Sequence, residues 1–102
     1  MNRRSIDFER INTAALAALP SILARWLPDG RREGREWVAR NPRRDDRRLG
    51  SFRVNLDTGR WADFATGDKG GDVVSLAAFL ARSNQVEAAR NLAVMLGIAS
   101  DD

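Results

Sequence analysis

Ser51-Phe52-Arg53-Val54-Asn55-Leu56-Asp57-Thr58-Gly59-Arg60-Trp61-Ala62-Asp63-Phe64 is the stretch on which the fold turns. Phe52 and Val54 alternate with Arg53, the period of two that marks a half-buried strand with its arginine facing outward. Leu56–Gly59 is a four-residue hairpin loop with glycine at the position that needs positive φ. Arg60–Phe64 then returns as the partner strand. Trp61 and Phe64 fall on opposite faces of it, so one ring belongs to the core and the other to the surface.

Working outward, Glu36–Arg40 also alternates, with Trp37 and Ala39 on one side and Glu36, Val38 and Arg40 on the other. These segments predict a small antiparallel sheet of about three strands. Helices flank it. Asn12–Leu27 is rich in alanine and leucine, with Asn12 or Thr13 placed to cap it and Leu16, Leu19, Leu23 and Leu27 at roughly helical spacing. Pro20 either kinks this helix or opens a second one, and Pro28-Asp29-Gly30 ends it. Downstream, Asp72 caps a helix with a Val73, Leu76, Ala77, Leu80 stripe. Asn84 and Glu87 form a capping box for another, which carries Val86, Ala89, Leu92, Ala93 and Leu96 and stops at Gly97. The expected architecture is α+β: one domain over residues 1–102, helical over 6–27, then sheet, then helices.

At 102 residues the chain can bury one modest core. Its 43% hydrophobic and 30% charged composition is that of a folded soluble protein. No apolar run is long enough to span a membrane, and no apolar segment follows the basic Met1–Arg4, so neither a span nor a signal peptide is expected and the cytoplasm is the expected location. The chain has no cysteine and no histidine. That removes thiol nucleophiles, imidazole bases and the usual zinc ligands together, so a non-catalytic role without cofactor is expected.

Sixteen of the 17 cations are arginine, the exception being Lys69. A codon bias alone would favour arginine, so distribution carries more weight than total. Residues 31–60 hold ten arginines against five acids. Within them Asn41–Arg48 reads NPRRDDRR, which as a bare pattern is either a solvated loop of self-cancelling charges or a phosphate-contacting run. Arginine suits phosphate because its planar fork donates two parallel hydrogen bonds. The turn Thr66–Asp72 also offers N–H groups beside Lys69 to an anion, although the Gly-Lys-Ser/Thr order of a nucleotide loop is missing.

Several of these segments resemble the zinc-ribbon-type template-binding domain at the N-terminus of phage and plasmid DNA primases and primase-helicases. Asn41-Pro42-Arg43-Arg44 is similar to that family's first Cys-x2-His knuckle, and Gly50-Ser51-Phe52-Arg53-Val54 to the strand after it. Trp61-Ala62-Asp63-Phe64-Ala65-Thr66-Gly67 looks like the second, Cys-x2-Cys knuckle. Gly70-Gly71-Asp72-Val73 resembles the turn that opens the next helix, and Glu87-Ala88-Ala89-Arg90-Asn91-Leu92-Ala93 the closing helix. The likeness covers roughly residues 36–97, with one extra residue before Ser51 and another before Gly71. The four ligand positions hold Asn41, Arg44, Asp63 and Thr66, a set that cannot make a tetrahedral zinc site. The resemblance therefore implies a metal-free, zinc-ribbon-like domain whose stability comes from packing, with former ligand positions free to hydrogen-bond to one another, Arg44 with Asp63 for example.

The function so implied is that of a DNA-binding accessory module of replication or priming. Its contacts to single-stranded template would come from Arg43, Arg44, Arg47, Arg48, Arg53, Arg60, Trp61, Phe64 and Lys69. A replicative helicase, primase or polymerase is the expected protein partner. The alternative is a small mobile-element protein, an inhibitor or adaptor, that keeps the fold without binding DNA and uses its helix-face leucines and the Trp26–Trp37 region.

Overall fold

Asp7 accepts a hydrogen bond from the Arg10 amide at 3.0 Å and opens the first helix, α1 (Phe8–Ala17). The start lies earlier than the apolar pattern predicts, and Asn12 and Thr13 sit inside the helix, not at its cap. Pro20 falls in the first turn of a separate α2 (Leu19–Trp26), where its missing N–H costs nothing. In this computed structural model, which describes residues 6–42 and 51–98, there follow β1 (Arg31–Glu33), β2 (Glu36–Ala39), β3 (Phe52–Asn55), β4 (Trp61–Asp63), β5 (Lys69–Gly70), α3 (Val73–Ala81) and α4 (Gln85–Leu96). The class is α+β. Among the described residues the strands form one antiparallel sheet in the order β1-β2-β3-β4-β5.

The sheet has five strands where alternation predicts about three. β2, β3 and β4 are the strands that the pattern reveals. β1 is Arg-Arg-Glu, exposed along its length, so it carries no apolar period to be read. It forms because Gly34, at φ 62°, turns the chain back in two residues and sets Glu33 opposite Glu36. β5 is two residues long, too short to show a period at all. At the β3–β4 hairpin, Asn55 Oδ1 accepts from the Asp57 and Thr58 amides at 2.8 and 3.0 Å, and Gly59 takes φ 80°.

The helices and one face of the sheet share one apolar cluster. From the sheet it receives Ala39, Phe52, Val54 and Trp61, and from the helices Ile11, Leu19, Leu23, Val74, Leu76 and Leu92 among others. At its centre Trp61 packs 4.6 Å from Phe79 and 5.9 Å from Phe52, between ring centroids. Its indole N–H donates to Ser75 Oγ at 2.9 Å, so the buried ring keeps its one polar group satisfied.

Val38 lies on the side of Arg53 and Ala62, as the alternation sets it, yet it is buried at 1% exposure and outside the main cluster. One core reading needs correction. Val86, expected on the core stripe of α4, is 42% exposed, and its place against the core is taken by Ala88.

Asp72 caps α3 in a reciprocal box with Ser75. Asn12, from the middle of α1, adds to this cap from 60 residues away: its Nδ2 donates to Asp72 Oδ2 at 3.2 Å. Its Oδ1 accepts from the Val74 amide at 2.9 Å. Asn84 accepts from the Glu87 amide at 2.8 Å to open α4, and Gly97 closes it at φ 71°. Among the described residues no helix is long and apolar enough to cross a membrane.

Candidate nucleic-acid interface

Antiparallel register decides which side chains share a face. Trp37, Phe52, Val54, Trp61 and Asp63 alternate onto the side that meets the helices. Their neighbours therefore form rows on the other side. One row crosses the whole sheet: Arg31 pairs with Val38, Val38 with Arg53, Arg53 with Ala62, and Ala62 with Lys69. At about 4.8 Å per strand it spans roughly 19 Å. Continuing the alternation adds Arg40, Arg60 and Phe64 to the same side. The Phe64 amide donates to the Ser51 carbonyl at 2.8 Å, which carries the β3–β4 ladder one residue past β4.

On this face the charges divide into two kinds. Arg31 is paired with Glu33 and Arg53 with Glu36, each at 2.9 Å, so those cations are partly neutralised. Arg40, Arg60 and Lys69 are exposed and make no ion pair or side-chain hydrogen bond among the described residues. Beside them Phe64 is 71% exposed, the most open aromatic ring among those residues. An exposed phenylalanine amid unneutralised cations presents a flat apolar surface and positive charge together.

Of the two rings that the sequence sets on opposite faces, Trp61 is the core ring, 5% exposed, and it is not accessible to a base. Phe64 is the surface ring. Arg53, Arg60 and Lys69 lie on the outer face with it. Arg40 joins this surface too, although it is not among the contacts that the resemblance implies; the Glu36–Arg40 alternation holds the signal for it. Arg43, Arg44, Arg47 and Arg48 lie outside the described residues, and with them the expected bond from Arg44 to Asp63. Their segment leaves β2 through Asn41-Pro42 and rejoins β3 at Ser51, the residue bonded to Phe64.

No known protein family matches the chain, and no curated protein is significantly similar to it.

Two of the four residues that the resemblance sets at ligand positions meet. Asn41 Nδ2 donates to Asp63 Oδ2 at 2.8 Å, with both residues buried. The Asp63 carboxylate thus accepts an amide N–H from Asn41, while Thr66 Oγ1 donates to Asp68 Oδ2 at 2.8 Å. Among the described residues no three His, Cys, Asp or Glu side chains gather as a metal would require. These residues do not fit zinc. At the start of α3, after the Thr66–Asp72 turn, the Ser75 amide is taken by Asp72 and the Val74 amide by Asn12, which leaves neither for a phosphate.

A second feature lies among the helices. Trp26, Leu80, Leu92 and Met95 help to line a mostly apolar groove of about 400 Å³ between α2, α3 and α4.

Proposed function

We propose that the protein is a DNA-binding accessory module of replication or priming, and that it takes single-stranded template on the outer face of the sheet. The observation that carries this reading is Phe64, 71% exposed on the face that also holds Arg40, Arg60 and Lys69. An exposed aromatic platform beside a basic surface is how unpaired strands are held, because every base has a face to stack while duplex bases are already stacked. Arg43, Arg44, Arg47 and Arg48, which lie outside the described residues, add four cations to the sequence between β2 and β3. The resemblance to zinc-ribbon-like primase modules points the same way. A helicase, primase or polymerase is the partner class that would use such a module, and the cytoplasm is where it would work.

Fluorescence anisotropy with a labelled single-stranded oligonucleotide tests the reading. Binding at low salt that weakens steeply toward moderate salt is the expected result. Absence of binding at low salt refutes it.

The groove lined by Trp26 and Met95 favours a second reading, a protein-interaction module that keeps the fold without binding DNA. Partner binding through that groove would change little with salt and would be abolished in Met95→Glu.

A further inference from the structure

Two glutamates share the outer face of the sheet with its cations, and strand register decides where they act. Glu33 and Glu36 stand directly opposite each other on β1 and β2. Each is paired with an arginine at 2.9 Å, Glu33 with Arg31 and Glu36 with Arg53. Like charges set opposite each other repel, and the two guanidiniums offset that repulsion. The positive charge of the face is therefore uneven. On β1 to β3 two cations are matched by two acids, whereas Arg40, Arg60 and Lys69 are unpaired among the described residues.

Of the two matched arginines, Arg53 is the nearer to the exposed ring. It pairs with Ala62 on β4, and Phe64 lies two residues further on, a diagonal neighbour at about 7–8 Å between Cα atoms. A strand with one base stacked on Phe64 carries a phosphate on either side of that base, and an arginine this close can reach one. To bind it, Arg53 has to leave Glu36. The pair is open to that exchange: its side chains are 34% and 37% exposed, and ion pairs so hydrated are held weakly. The exchange takes Arg53 away from the Glu36 carboxylate and leaves that carboxylate opposite Glu33 and close to the nucleic-acid backbone, which it repels.

We infer that Glu36 competes with the nucleic-acid backbone for Arg53, and so limits how tightly the outer face holds a single strand. This rests on the nucleic-acid reading above. Glu36 is not itself a ligand to the strand; it acts through Arg53. A competitor built into the face makes the grip on a template releasable.

The test is a double-mutant cycle between Glu36→Gln and Arg53→Ala, read by anisotropy on fluorescein-labelled oligothymidylate across a salt series. Glutamine keeps a hydrogen-bond acceptor for Arg53 and removes only the charge. Glu36→Gln should tighten binding, and the gain should be larger in the native background than in Arg53→Ala by roughly fivefold or more. The plot of log K against log salt should steepen by about 0.7, one further phosphate, in Glu36→Gln and not in Glu36→Gln/Arg53→Ala. Net charge acting at a distance would give equal gains in both backgrounds, and a purely structural role would leave the salt slope unmoved. Should Arg53→Ala not fold, Arg53→Gln takes its place. Gains that agree to within about twofold, or a Glu36→Gln protein that binds no more tightly than the native one, overturn this inference and leave the nucleic-acid reading standing. If neither the native protein nor Glu36→Gln binds at low salt, the nucleic-acid reading falls, and this inference with it.

Discussion

Replacing Phe64 with alanine separates the proposed binding surface from the fold. The side chain is 71% exposed and stands apart from the aromatic centre formed by Phe52, Trp61 and Phe79. Its backbone bond to Ser51 does not depend on the side chain. Folding stability should therefore change by no more than ~0.5 kcal/mol, a melting shift of at most about 4 °C for a domain of this size. Removing one base–aromatic stack costs ~1–3 kcal/mol, which weakens Kd by roughly 5- to 160-fold. Phe64→Trp, which restores a flat ring, should recover the affinity. The assay is anisotropy titration of a labelled single strand at low salt, with thermal melts on the same preparations. A folded Phe64→Ala protein with native affinity would refute the stacking argument. A melting temperature lowered by about ten degrees or more, well beyond what an exposed side chain supplies, would show instead that the ring is part of the fold.

Three further outcomes are expected. Changing Arg43, Arg44, Arg47 and Arg48 together to alanine should weaken single-strand binding and flatten the plot of log K against log salt by about 0.7 for each phosphate no longer neutralised, while the melting temperature stays near native. A chelator should leave the melting curve unmoved and metal analysis should find no stoichiometric zinc, since positions 41 and 63 bond to each other. Gly70→Ala should destabilise the protein by ~1–3 kcal/mol in a denaturant titration, because a Cβ there would stand inside contact distance of Trp61 Nε1 and Ser75 Oγ, the two atoms of a part-buried hydrogen bond.

How much of the molecule is legible in its sequence depends on how local each residue's role is. The β3–β4 hairpin can be read because Phe52, Val54 and Gly59 each obey a rule that spans a few residues. The opposite placement of Trp61 and Phe64 can be read too, but alternation cannot say which face the helices cover. β1 escapes notice because an edge strand of charged residues is held by backbone bonds to β2 alone and leaves no apolar trace. Asn12 looks like a cap for its own helix and in fact caps another, a role set wholly by tertiary packing. The surface lies half in view. The arginine cluster is plain in the sequence, but the register that brings Arg40, Arg60, Phe64 and Lys69 to one face depends on how the strands pair.

The bonds from Asn12 to Asp72 and Val74 also bear on how the chain folds. Every strand pairs with its neighbour in sequence, so the sheet can zip up through a series of short loop closures. The junction of α1 with the start of α3 closes a loop of about 60 residues and gains least from any early local structure. A junction with so large a loop to close is expected to form after the main barrier. Asn12→Ala should accordingly leave the folding rate near native and speed unfolding, so Asn12 acts as a latch on the finished molecule and takes no part in building it.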